Sequence, residues 1–266
     1  MVVGRYSPCC LNGWSTECQR LWYNQVRMNS ERMLALLYKF LFFDLDHTLL
    51  DFNGAEDTAL TSFLEEAGVA PKDIKTYKDY YIPMNRAMWE DLNHGLITKA
   101  ELLRTRFSRL FEHFGREVDG AYLAERYQEF LSQQGQELPQ AHAFLAEVKS
   151  RGYKIYAATN GVSYIQRGRL QASTLLPFFD AVFISDEVGE HKPSKDFFDK
   201  MAAHIPNFDP KAALMIGDSL TADIQGANNA GIDSVWFNPK GLANETPAVP
   251  TYQVKNYQGI LNILSN

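Results

Sequence analysis

Apolar and polar residues fall into blocks along this chain, and the blocks come in two lengths. Short apolar runs, each halted by small or charged residues, occupy 38–43, 153–158, 181–184, 212–216 and 234–237. Runs of this length without alternation predict strands buried on both faces. Between the later runs the spacing turns helical, over 163–173, 194–204 and 220–230, and another helix is expected to start at Pro139 and end before Gly152. Strand–helix alternation of this kind predicts an α/β fold, with a parallel sheet covered by helices on both faces and right-handed crossovers.

One long stretch breaks the alternation. Residues 53–67 repeat apolar side chains at Ala55, Ala59, Leu60, Phe63, Leu64 and Ala67, with Gly68 at the stop. From about 70 to 135 the pattern stays helical and rich in Tyr. Thr98 and Glu101 have capping-box spacing ahead of Leu102, Leu103, Phe107, Leu110, Phe111 and Phe114, and a further helix is expected from about Asp119 to Gln133. Residues 53–135 therefore read as an inserted all-α subdomain, and 37–52 with 136–266 as the α/β core. The insertion follows the first strand directly, where a lid over a site would be attached. Residues 1–36 show no clear periodicity and are expected to be a disordered arm or an over-extended start, with Met28 or Met33 as the initiator.

Composition narrows the function classes. The chain has 266 residues, 45% hydrophobic and 22% charged, which suits a globular protein with a sizeable core. A net charge of -6 disfavours a nucleic-acid polymer as partner. The apolar run after Met33 is interrupted by Lys39 and too short to cross a bilayer, so no membrane partner is expected. Cys9, Cys10 and Cys18 all precede the periodic region, a pattern compatible with a reducing cytoplasm, and they lack a suitably spaced fourth ligand for zinc.

Candidate chemistry collects where the strands stop. Asp44 and Asp46, followed by Thr48, end the first run; Thr159-Asn160-Gly161 ends the second. Lys192 lies in His-Lys-Pro-Ser before a helix capped by Ser194, and Asp218 and Asp223 lie in Gly-Asp-Ser-Leu-Thr-Ala-Asp after the 212–216 run. Open parallel sheets bind ligands at that edge. Two carboxylates so close repel each other unless a cation or proton sits between them. Each signal has a plain alternative: a solvated acidic turn, an ordinary Thr-Asn-Gly turn, a surface lysine, an N-cap. Their shared placement at strand ends is what argues for a site.

Together the DxDxT run, Thr159, Lys192 and GDSLTAD resemble a haloacid dehalogenase (HAD) superfamily phosphohydrolase with a helical cap, over about residues 38–264. Asn85-Arg86-Ala87-Met88-Trp89, Gly95-Leu96-Ile97-Thr98 and Ser185-Asp186-Glu187-Val188-Gly189 are similar to the YjjG/YfnB type of pyrimidine 5'-nucleotidase. The resemblance implies a Rossmann-like core and hydrolysis of small phosphate monoesters through an aspartyl phosphate on Asp44, with Asp46 as acid and base. It implies Mg²⁺ held by the Asp44 carboxylate, the Asp46 carbonyl and Asp218, with Lys192 and Thr159 on the phosphoryl group and Asp223 in support. Asn160 and Gly161 are expected to offer N–H groups to the anion, and Thr48 to support the acidic turn. In the cap, Trp89, Tyr80, Tyr81 and Met84 offer a flat surface for a base with Asn85 beside it, or else pack the cap's own helices. His47 and His94 are given no catalytic role. A sugar-phosphate phosphatase or phosphomutase is the nearer rival. A dehalogenase has no use for a second acid at 46 or for Asp218, and a silent protein-binding fold would not need the full acidic set. The resemblance leaves the oligomeric state open.

Overall fold

The computed structural model describes residues 37–265. Six parallel strands form one sheet in the order β3-β2-β1-β4-β5-β6: β1 Phe40–Phe43, β2 Lys154–Thr159, β3 Ala181–Ile184, β4 Ala213–Gly217, β5 Asp233–Phe237 and β6 Tyr252–Val254. The first strand is central, and Leu41, Phe42 and Phe43 have no exposed surface. Each such side chain contributes roughly 1.5–3 kcal/mol on leaving water, which is why the run has no polar alternation. Leu41 and Phe43 face one layer with Leu145, Val148 and Ile260; Phe42 faces the other with Phe197, Met201 and Met215.

Register carries the site. Phe43 pairs with Ala157 on one side and Ile216 on the other, so the next residue, Asp44, emerges beside the ends of β2 and β4. Its N–H donates to the Ile216 carbonyl at 2.9 Å, which extends the ladder by one residue before the chain turns. The turn then closes on itself: the Leu49 and Leu50 N–H groups donate to Leu45, and His47 takes a left-handed φ of 61°.

Between β1 and β2 lie five α-helices: α1 Phe52–Glu66, α2 Ile74–Asn93, α3 Lys99–His113, α4 Gly120–Ser132 and α5 Ala141–Ser150. The first four share a separate apolar cluster built on Phe63, Tyr81, Phe107, Phe111 and Tyr127, against which Val162 and Ile165 of the α/β layer also pack. Thr98 caps α3 as its spacing predicts, Oγ1 accepting from the Glu101 N–H at 3.2 Å. The α/β part continues with α6 Ser163–Ala172, the short α7 Ser185–Val188, α8 Lys195–Ala203, α9 Gln225–Ala230 and α10 Tyr257–Ile263.

Several expectations are corrected. The helix expected from Pro139 begins at Ala141, because Gln140 holds a left-handed φ of 71° and ends a turn instead. The helix expected over 220–230 is split into a π-helical turn, Leu220–Ile224, and α9. The sequence pattern does not announce the edge strand β6 or the helix α10, since three residues carry too little periodicity to mark a strand. The expectations for 1–36 lie outside the described residues.

Candidate active site

Loops distant in sequence meet at the carboxyl edge of β1, β2 and β4. Lys192 is the hub. Its ammonium, on a side chain 1% exposed, donates to Asp44 Oδ1 at 2.7 Å, Asp223 Oδ1 at 2.6 Å and the Ala158 carbonyl at 2.6 Å. Three donors meet three acceptors, which is what makes a buried ammonium tolerable. Asn160 places this lysine. Its amide donates to the Lys192 carbonyl and accepts from the Lys192 N–H, both at 2.8 Å. The loop after β2 and the Lys192 loop are thus joined backbone to side chain.

Asp223 is fixed from both sides, since Oδ2 also accepts from the Ser219 N–H at 3.0 Å. Gly217 makes this possible: a Cβ there would stand 2.1 Å from Asp223 Oδ2. Asp218 sits at the end of β4, its carbonyl accepting from the Trp236 indole at 2.9 Å. Carboxylate oxygens of Asp44, Asp218 and Asp223 lie within 4.8 Å of one another. Burial pushes the Asp44 carboxyl up, and Asp223 and Asp46 add to this against the pull of Lys192. Burial also holds Asp218 well above the usual carboxylate range, with Asp44 and Asp223 reinforcing it. The Lys192 ammonium moves the other way: desolvation would depress it, but Asp223 and Asp44 outweigh that and raise it.

Asp46 has partners of its own. Its Oδ1 pairs with the Arg169 guanidinium, and Oδ2 accepts from Gln166 Nε2 at 2.6 Å. Neither Gln166 nor Arg169 was anticipated from the sequence, yet they are 1% and 0% exposed. The signal was present: both lie on the apolar stripe of α6 with Ile165 and Leu170, where a charge is out of place. Gly161 leaves room for Gln166, whose Nε2 would otherwise lie 2.2 Å from a Cβ. The Gly161 N–H, expected to face an anion, donates to Thr159 Oγ1 at 3.1 Å. Thr48 is fully buried; its carbonyl accepts from the Tyr257 hydroxyl at 2.7 Å, and Oγ1 has no partner.

The cap residues divide. Tyr81 stacks on Phe107 and Tyr80 on His113, so both serve the cap's own packing. Trp89 packs with Met88, Leu92 and Leu102, and Met84 bridges this group to the larger cap cluster. Asn85 is buried and donates to Glu56 Oε1 at 3.4 Å. Glu56 and the buried Arg106, unmentioned by any motif, complete a polar cluster inside the cap. Lys99 joins cap to core: its ammonium donates to the Asn160 carbonyl at 3.0 Å and the Gly161 carbonyl at 2.8 Å, and pairs with Asp186.

Residues 38–231 match the family model of haloacid dehalogenase-like hydrolases. The chain belongs to that family. Among similar proteins is the pyrimidine 5'-nucleotidase PynA of Streptococcus pneumoniae, 57% identical over 229 residues, 86% of this chain and 96% of the relative. The pyrimidine 5'-nucleotidase YjjG of Escherichia coli is 30% identical over 85% of this chain and 98% of its own length. The magnesium-bound crystal structure of the HAD-hydrolase YfnB of Bacillus subtilis superposes with a TM-score of 0.81 at 37% identity, covering 86% of this chain and 99% of that one.

The donor set of this HAD-like site suits a hard divalent cation. Asp44, Asp218 and Asp223 bring three oxygen-bearing side chains against one ammonium, and the strain falls on Asp44 and Asp218. Asp223 already gives both oxygens to Lys192 and Ser219. Asp44 and Asp218 are therefore the carboxylates with oxygen to offer a metal such as Mg²⁺, which takes few protein ligands and retains water.

Proposed function

We propose that this enzyme is a Mg²⁺-dependent 5'-nucleotidase that hydrolyses pyrimidine nucleoside monophosphates through an aspartyl phosphate. The carrying observation is Asp44, held at 2.7 Å by Lys192 at the carboxyl end of β1, with the Asp218 and Asp223 oxygens within 4.8 Å. Likeness to PynA and YjjG supports the pyrimidine preference.

Asp44 attacks phosphorus, the P–O ester bond breaks, and its electron pair goes to the departing sugar oxygen, which takes a proton from Asp46. Water then attacks the aspartyl phosphate while Asp46 takes a proton back, releasing phosphate and restoring both carboxyl groups. Asp44, the Asp46 carbonyl and Asp218 would hold Mg²⁺, which would supply charge neutralisation for the phosphoryl oxygens. Lys192 offsets the remaining charge, and Thr159, 2% exposed, presents its hydroxyl at the same edge. Asp223 keeps Lys192 in place. Asn160 acts through Lys192 rather than on substrate. A bound cation and the Lys192 ammonium would together give a chain of net charge -6 the local positive charge that an anion needs.

A panel of phosphate esters assayed with Mg²⁺ tests the substrate. We expect dUMP, dTMP and UMP to exceed purine nucleotides and sugar phosphates in kcat/KM. Sugar phosphates clearly outperforming all three would reject the nucleotidase reading.

A further inference from the structure

The proton donor needs aiming, and the chain contains a device for it that the metal and phosphate sites do not use. Gln166 and Arg169 lie one turn apart on α6, both sealed from solvent, on a stripe otherwise apolar. Their side chains converge on opposite oxygens of one carboxylate: Arg169 Nη1 on Asp46 Oδ1, and Gln166 Nε2 on Oδ2 at 2.6 Å. A carboxylate gripped at both oxygens has no free rotation about its last bond.

Each grip is itself anchored. Arg169 Nε donates to the Gln134 carbonyl at 3.0 Å, and the guanidinium carbon lies 5.4 Å from the centre of the Phe52 ring. Phe52 begins α1 and Gln134 follows α4, so the guanidinium is held by both connections to the helical insertion. Gln166 Nε2 also lies 3.3 Å from Thr159 Oγ1, which links the Asp46 clamp to the loop expected to meet the phosphoryl group. A buried guanidinium and amide serving only the fold would be costly where leucine would pack.

We infer that Gln166 and Arg169 are positioning residues that hold the Asp46 carboxyl group for proton transfer to the leaving-group oxygen and, as donors to both of its oxygens, stabilise the carboxylate that the transfer leaves behind. The inference rests on the proposed role of Asp46 as proton donor. It makes a specific demand on substrate chemistry. A sugar alkoxide leaves poorly and needs the proton as the P–O bond breaks; 4-nitrophenolate departs as a stable anion and does not. Since kcat/KM reports only the steps up to departure of the leaving group, the later attack of water does not blur the comparison.

The experiment measures kcat/KM of the full chain with Mg²⁺ on dUMP and on p-nitrophenyl phosphate, for wild type and for Asp46→Asn, Gln166→Leu, Arg169→Met and Arg169→Lys. We expect Asp46→Asn, Gln166→Leu and Arg169→Met each to lose at least about ten-fold more on dUMP than on p-nitrophenyl phosphate. Arg169→Lys keeps the charge without the planar fork and should recover part of the dUMP loss. If Arg169→Met fails to fold, the uncharged and similarly sized Gln166→Leu decides alone. Equal losses on both esters in the Gln166 and Arg169 variants, with Asp46→Asn keeping its differential, would overturn the inference. Equal losses in Asp46→Asn would overturn the proton-donor reading itself. A wild type that cleaves glycerol phosphate but not dUMP overturns only the nucleotide preference, and glycerol phosphate then replaces dUMP in the same comparison.

Discussion

Two of the protein's buried charge clusters are built in opposite ways. At the strand ends, Lys192 meets Asp44, Asp223 and a carbonyl at 2.6–2.7 Å, and both oxygens of Asp223 are bonded. Inside the helical insertion, Glu56 has one long bond to Asn85 at 3.4 Å, while Arg106 Nε and Nη2 are sealed without partners. That guanidinium lies instead 5.0 Å from the ring centres of Phe107 and Tyr127. Burial pushes Glu56 up to about 7, against the pull of Arg106 and Arg86. The first cluster is a rigid electrostatic frame for a reaction. The second is held by shape and rings, and its carboxyl group is poised to change charge.

The largest expected effect breaks the frame at its reactive member. Asp44→Asn should reduce turnover of any accepted ester by about 10⁴-fold or more with the fold intact by circular dichroism. Retention of near wild-type activity would remove Asp44 from the chemistry. Chelation with EDTA should likewise bring activity to background, and added Mg²⁺ should restore it.

Lys192→Met comes next. It leaves Asp44 and Asp223 buried without their shared cation, and should cost about 3–5 kcal/mol in urea unfolding. A cost below about 1 kcal/mol would mean that the frame is not held electrostatically.

The cap cluster is sharpened by pH. Folded Glu56 holds its proton up to about 7, against an ordinary value of 4.5. Between those values the native state binds more protons than the unfolded chain, so this group makes stability fall as pH rises through that window. Glu56→Gln removes the slope. Its stability relative to wild type should therefore improve by on the order of 2–3 kcal/mol from about pH 4 to about pH 8, as read by urea midpoints. A constant difference across that range would show Glu56 to be ionised without cost.

The smallest effect concerns the tie between the two regions. Lys99→Met should cost about 1 kcal/mol or less overall, since its ion pair with Asp186 is partly exposed. Amide exchange in the loop at Asn160 and Gly161, whose carbonyls Lys99 holds, should nonetheless quicken. Unchanged exchange there would separate cap from core.

What could be read from the chain follows the same division. Asp44 and Asp218 stand out because a buried strand has a recognisable pattern and an acid at its end interrupts it, and Lys192 because it lies in His-Lys-Pro-Ser just before a capped helix. Their register neighbours follow from parallel pairing, and the central place of β1 agrees with the expected sheet. Glu56, Arg106, Gln166 and Arg169 stayed hidden because helical spacing absorbs single exceptions. Arg106 lies four residues from both Leu102 and Leu110, on the buried face. Glu56 is four residues before Leu60 on the buried face of α1. A charge on such a stripe is a signal, but it announces only that a partner exists, not which. Of the two readings left open for Tyr80 and Tyr81, packing of the cap's own helices is the one observed, because aromatic rings at helical spacing find each other first.

Asn160 has a practical consequence for anyone redesigning this pocket. Its side chain clasps the peptide of Lys192 from both directions, so exchanging it to admit a bulkier anion would also set the ammonium adrift.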